Sequence, residues 1–192
     1  MGRSAGLSMR IRTATAADAE AITDVHLASM REAYRGLFPA EALARLDHHD
    51  RANRWRDHLT AVSSTTLIAE ADGRPVGFVD FGVCRDEDLS PGSFGEVMAV
   101  YVRPEAWGHG VGRALAREAL DRLRAGGLDP VVLWVIEGNH RAIGFYERLG
   151  FVRDGAIRHR EMFGTPAAVV RLRQPPGGEI AQPGAAAGRP RE

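Results

Sequence analysis

Between Phe94 and Leu123 the chain changes its period, and that change limits what it can fold into. A mostly apolar stretch, interrupted by Glu96, runs from Phe94 to Val102 and stops at Arg103-Pro104, a pair that disfavours a helix at its first member. After Trp107-Gly108-His109-Gly110-Val111-Gly112 they return at every fourth position: Val111, Leu115, Ala119 and Leu123. A strand therefore passes through a glycine-rich turn into an amphipathic helix, which Gly126-Gly127 closes. At such a helix start the first backbone N–H groups lack partners within the helix, and the dipole places positive charge there. Glycines let an anion come close, so the turn reads either as a cradle for a phosphate or pyrophosphate or as a flexible connector.

The rest of the pattern surrounds this unit. A strand is expected over Met9–Ala14, then a helix opened by the capping-box variant Thr15-Ala-Ala-Asp18, with Ile22, Val25, Ser29 and Ala33 on one face and an end near Tyr34. Pro39 suits a first helical turn, and Asp50 is the expected cap of a segment through Trp55 to Leu59. Strands Thr65–Ala71 and Pro75–Val83 flank Asp72-Gly73, a hairpin signal. Val131–Ile136 has buried-strand length, Asn139 caps a helix through Leu149 that Gly150 ends, and strands Phe151–Arg160 and Ala167–Arg173 follow. This order describes a mixed three-layer α/β fold of the α+β kind, not a doubly wound one. The chain's 192 residues suit one domain. Its folded unit is expected over 9–173, after a flexible 1–8 and before a Pro/Gly/Ala-rich tail, 174–192, read as disordered.

Composition removes several functions. All 25 basic residues are arginine, so lysine Schiff-base chemistry and a phosphate-loop lysine are absent. Cys84 is the only cysteine, which excludes an internal disulfide and a Cys-x-x-Cys pair and fits a reducing, cytoplasmic setting. Twenty-five acidic residues balance the basic ones, so no surplus points to nucleic acid. There is no long apolar run or signal-peptide layout, and Gly6 stands where a myristoylation start needs Ser or Thr, so no membrane role is expected. The seven histidines show no metal-ligand spacing, and His48-His49 reads as a solvated turn. No metal is expected.

A dinucleotide fingerprint fails because Arg113 stands where the third glycine would follow Gly108 and Gly110, and Asp129 precedes its strand. A nicotinamide-dependent oxidoreductase stays a remote alternative. Two segments carry a resemblance. Glu96-Val-Met-Ala-Val-Tyr-Val-Arg-Pro-Glu-Ala-Trp-Gly-His-Gly-Val-Gly112 resembles the strand and pyrophosphate loop of the GNAT superfamily of acyl-CoA-dependent N-acetyltransferases, whose loop pattern is Arg/Gln-x-x-Gly-x-Gly/Ala. Asn139-His-Arg-Ala-Ile-Gly-Phe-Tyr-Glu-Arg-Leu-Gly-Phe151 resembles that family's second motif, and Ala33-Tyr-Arg-Gly-Leu-Phe-Pro39 resembles single-domain bacterial members. The resemblance covers most of Met9 to Arg173. It implies a mostly antiparallel central sheet of six to seven strands with helices on both faces, acetyl-CoA as co-substrate, and a small-molecule amine or peptide as acceptor. It leaves a homodimer open.

By this resemblance the pyrophosphate is held by the backbone of Gly108, His109, Gly110, Val111, Gly112 and Arg113. Trp107 departs from the family's Arg or Gln, and its indole is expected either against another part of the ligand or as a surface or core aromatic. Val100, Tyr101 and Val102 offer backbone groups to the pantetheine arm, which Asn139, Ala142 and Phe145 flank. An amine attacking a thioester loses a proton and the departing thiolate gains one, so a base and an acid are wanted. Glu96 is the candidate base: alternation puts it on a face with Phe94, Met98, Val100 and Val102 unless a bulge changes the facing, and its position matches a glutamate that is the base in some members, often through a water; the alternative is a strand-end glutamate facing solvent or pairing with an arginine. Tyr146 is the candidate acid, a phenol that keeps its proton at neutral pH and whose hydroxyl the resemblance places near the CoA sulfur. His26 and Tyr34, on the first helix, are guesses for the acceptor pocket. The run Asp86, Glu87, Asp88 reads as a solvated loop or an attractor of a cationic amine. Cys84 is expected to be inert. The function implied is acetyl transfer from acetyl-CoA to a primary amine by direct attack, the alternative being a non-catalytic acyl-CoA-binding or regulatory domain.

Overall fold

A computed structural model describes residues 9–61 and 63–177. The expected flexible start, 1–8, and most of the expected tail lie outside the described residues. The elements run β1 (Met9–Thr13), α1 (Ala19–Ala33), α2 (Ala40–Ala44), α3 (His48–Thr60), β2 (Thr65–Ala71), β3 (Arg74–Val83), β4 (Gly95–Val102), α4 (Val111–Ala125), β5 (Val131–Ile136), α5 (His140–Glu147), β6 (Val152–Met162) and β7 (Thr165–Gln174). Seven strands form one sheet in the order β1-β2-β3-β4-β5-β7-β6. All neighbours are antiparallel except β4 and β5. Asp72 and Gly73 both take positive φ, 50° and 76°, the conformation of a tight hairpin turn between twisted strands.

Helices cover both faces. Val111, Leu115, Ala119 and Leu123 are all buried on one of them, with Val97 and Leu133 of the sheet. Each buried leucine contributes about 2 kcal/mol. Gly77 lets the helix come close, because a Cβ there would meet Leu115 Cδ1 at 3.0 Å. α1 packs on the other face, Ile22 and Val25 against Ile68 and Phe78.

Three readings are corrected at this level. Asp47, not Asp50, caps α3: its side chain accepts the Asp50 N–H, which makes Asp50 a first-turn residue. His48-His49 opens α3 instead of forming a turn, and His48 Nε2 lies 2.9 Å from Asp24. Gln174, assigned to the tail, ends β7 fully buried; it donates to the Leu149 carbonyl at 2.6 Å and accepts from Arg124 at 2.7 Å. A polar residue is buried there because both ends of its amide are satisfied.

β4 and β5 pair at only two register positions, Gly95 with Val131 and Glu96 with Val132. Beyond them the strands diverge. β4 also carries a bulge: Asp80 pairs with Ala99 and Phe81 with Val97, so Met98 has no counterpart on β3. The gap between the diverging strands positions the site.

Candidate active site

A cavity of about 920 Å3 fills that gap. Its walls are Met98–Val102 of β4, Trp134–Ile136 of β5, the start of α4, one side of α5, and residues of α1, β6 and the β3–β4 loop. That volume suits a sizeable small-molecule ligand.

At one end the wall is mostly backbone. Gly110 takes φ +83° and caps α4, and a Cβ at Gly108 or Gly110 would meet nothing within 4 Å. The first helical hydrogen bond runs from Ala114 N–H to the Gly110 carbonyl at 3.0 Å, so the N–H groups of the preceding turn are not used by the helix. An open cradle of amides at a helix start fits an anionic phosphate, and the groove beyond it fits a pantetheine arm. Gly108, Gly110, Val111, Gly112 and Arg113 line the cavity with Asn139, Ala142 and Phe145. Asn139 Oδ1 accepts the Ala142 N–H at 3.1 Å, which caps α5. His109 is exposed and is not part of the lining; its Nδ1 sits 3.0 Å from the Trp107 carbonyl.

Trp107 does something the sequence did not suggest. Its indole N–H donates to the Val102 carbonyl at 2.8 Å, and the Arg141 guanidinium lies over its ring at 3.7 Å. The side chain therefore ties the end of β4 to the loop, occupies a carbonyl expected to serve the ligand, and holds a cation at the cavity wall. Nothing at the sequence level marks Arg141 for this.

Further in, Glu96 and Tyr146 line the same cavity. The expected face of Glu96 was wrong. The bulge at Met98 inserts one residue, so Val97, Val100 and Val102 turn to α4 while Glu96 shares the opposite face with Ala99 and Tyr101. Glu96 is buried, its carboxylate accepts the Arg85 backbone N–H at 3.2 Å, and Arg85 Nε is 3.5 Å away, so its surroundings are charged and hydrogen-bonded rather than apolar. Tyr146 packs on Phe145 and Phe151, with ring centroids 5.1 and 5.8 Å away. This enclosure pushes its pKa up, so the phenol is protonated at neutral pH.

Of the two acceptor guesses, the structure brings one to the cavity. Tyr34 lines it, and its hydroxyl lies 3.1 Å from that of Tyr101. His26 is not in the lining. It is buried with its ring 4.3 Å from Tyr101, and its Nδ1 accepts the Trp55 indole N–H at 3.1 Å. Burial pushes its pKa down from 6.5 to about 3, so it is a neutral core histidine.

The acidic run is solvated only in part: Glu87 and Asp88 are exposed, but Asp86 is turned inward. Asp86 is buried and accepts from Trp134 Nε1 at 2.9 Å, Arg158 at 2.8 Å and Arg171 at 2.9 Å. Arg171 is also bound by Asp88 and Asp154. Arg85, Trp134, Arg158 and Arg160 all line the cavity, and the sequence reading named none of them. Burial also raises the pKa of the Cys84 thiol, in keeping with an unreactive cysteine.

Comparison with known proteins agrees with this geometry. Residues 27–151, well over half of the chain, match the acetyltransferase (GNAT) family. An N-acetyltransferase of Bacillus subtilis, YuaI, whose function is uncharacterized, is 30% identical over 71% of this chain and 76% of its own. A mycothiol acetyltransferase of Thermobispora bispora is 45% identical over 45% of this chain, and the chain spans only 30% of that relative's length. Among solved structures, yncA of Salmonella typhimurium, determined with its cofactor acetyl-CoA, covers 93% of this chain and 99% of its own at a TM-score of 0.65 and 25% identity. The PaiA N-acetyltransferase of Thermoplasma acidophilum, determined with coenzyme A, has the same fold at 19% identity, a TM-score of 0.65 and coverage of 86% and 98%. From the bulged, splayed strands, the glycine cradle and these matches together, the chain belongs to the acetyltransferase (GNAT) family.

Proposed function

We propose that the protein transfers an acetyl group from acetyl-CoA to a primary amine by direct attack. One observation carries this reading: a buried carboxylate, Glu96, and a phenol held protonated by its enclosure, Tyr146, line the same cavity as the amide cradle at the start of α4. Acetyl-CoA supplies a thioester whose carbonyl carbon is the electrophile. The amides at the start of α4 hold its pyrophosphate, and β4 and α5 flank its pantetheine arm. Glu96 takes the proton of the incoming ammonium, directly or through a water, leaving a neutral amine that forms the C–N bond. As the C–S bond breaks, the Tyr146 hydroxyl gives its proton to the departing sulfur, and the nitrogen sheds its second proton, which returns the phenol to its neutral form as the amide is completed. A non-catalytic acyl-CoA-binding domain could lose both side chains without loss of binding, so their presence together favours the enzyme.

The test is CoA release from acetyl-CoA across a panel of amines, read with a thiol reagent in a Cys84→Ala background that removes the protein's own thiol. Acceptor-dependent release is expected. Tyr146→Phe is expected to lower kcat about 10-fold or more while acetyl-CoA affinity is unchanged. Unchanged kcat would remove Tyr146 as the acid.

A further inference from the structure

At the acceptor end the cavity wall carries charge that the transfer reaction does not use. Glu96, which accepts the Arg85 backbone N–H, is the base of the transfer proposed above, and Asp86 is filled by its three donors. Beside Arg85, the charged side chains of this wall are the outer edge of Arg158 and then Arg160. Arg158 is fixed from two sides. Asp86 holds one of its nitrogens at 2.8 Å, and the Trp134 ring lies under its guanidinium at 4.1 Å. Its side chain is nevertheless 36% exposed. Arg160 is two residues along the same face of β6, about 7 Å further by strand geometry. Among the described residues its guanidinium has no hydrogen bond or ion pair, although it lines the cavity.

We infer that the acceptor is a small amine that also carries a carboxylate, bound by Arg158 and Arg160 with its amine turned toward Glu96. This rests on the acetyl-transfer reading above. A guanidinium already anchored along one edge and stacked on an indole loses little freedom when it binds a planar anion, and its fork matches a carboxylate. Arg160 supplies a second cation with no competing acid contact. Glu96 provides the negative side of the same zwitterion's site. A polyamine fits poorly, because the acidic run that would attract it is occupied by Arg158 and Arg171 and two arginines face the cavity instead.

The experiment uses the full chain and pairs of acceptors that differ only in the carboxylate: leucine against isoamylamine, phenylalanine against phenethylamine, with spermidine as the cationic control. The amino acid of each pair is expected to have a kcat/KM about tenfold higher or more, the equivalent of one charge-assisted contact. Arg160→Gln, which breaks no internal contact, and Arg158→Gln are expected to bring the ratio toward one through KM. An equal or better rate with the bare amines or spermidine overturns the inference, as does an unchanged ratio in Arg160→Gln. If no amine turns over although acetyl-CoA binds, the transfer reading fails for small amines, and the carboxylate site is judged by calorimetry. N-acetylleucine binding the CoA-saturated protein about tenfold tighter than N-acetylisoamylamine, with the difference lost in Arg160→Gln, supports the site; equal affinities overturn it.

Discussion

The two ends of the cavity are built on opposite principles. At the end proposed for CoA, backbone amides of one continuous segment do the holding, shaped by Gly108 and Gly110 at the start of α4. At the end proposed for the acceptor the wall is made of side chains, and they come from separate strands and a loop: Arg85 and Asp86, Trp134, Arg158 and Arg160. Backbone recognition is expected to tolerate change in most single side chains, Trp107 in place of the family's Arg or Gln included. Side-chain recognition depends on a buried ion network, so it is both more specific and easier to break.

The largest expected effect is on that network. Asp86→Ala takes one partner from buried Arg171 and is expected to cost about 3 kcal/mol of stability, read from the urea midpoint. In the folded fraction acetyl-CoA binding should be unchanged, because the cradle lies at the other end. Next, Gly110→Val puts a branched residue at φ +83° beside the cradle and is expected to weaken acetyl-CoA binding about 30-fold, the loss of one or two charge-assisted bonds.

Smaller effects sharpen the contrast. His26, on the acceptor-side helix but outside the cavity, has its pKa lowered from 6.5 to about 3 by burial. The folded protein binds fewer protons than the unfolded chain between these values, so His26's contribution to stability is whole above the ordinary value and falls with pH below it. Its slope approaches about 1.4 kcal/mol per pH unit. His26→Gln, which keeps an acceptor for Trp55, is expected to flatten the acid side of a melting series, and an unchanged slope would remove this assignment. The smallest effect belongs to Trp107→Phe, which keeps the ring under Arg141 but loses the hydrogen bond to Val102. Its expected cost is about threefold in the KM for acetyl-CoA, with acceptor KM unmoved.

The same contrast explains what could be read from the chain alone. The glycine cradle and the Asn139 cap are local, each set within a few residues, and periodicity places them. The helix stripe from Val111 to Leu123 is equally local. The side of β4 that Glu96 occupies was not legible, because a bulge is one residue without a partner and shows only against β3. Nor was the arginine cluster. Arg158 and Arg171 meet Asp86 across 72 and 85 residues, and the run Asp86-Glu87-Asp88 suggested the opposite charge for the pocket because its partners were out of sight. His26 misled for a simpler reason: a histidine on a helix gives no local sign of whether it faces a cavity or Trp55.

Both ends matter together only if acetyl-CoA and the amine occupy the cavity at once. The most direct measurement is therefore initial-rate kinetics with both substrates varied, alongside the intact mass of protein incubated with acetyl-CoA alone. Direct attack predicts intersecting double-reciprocal lines and no mass change. Parallel lines with an acetylated protein would contradict it, because the acetyl group would then have passed through a covalent enzyme intermediate.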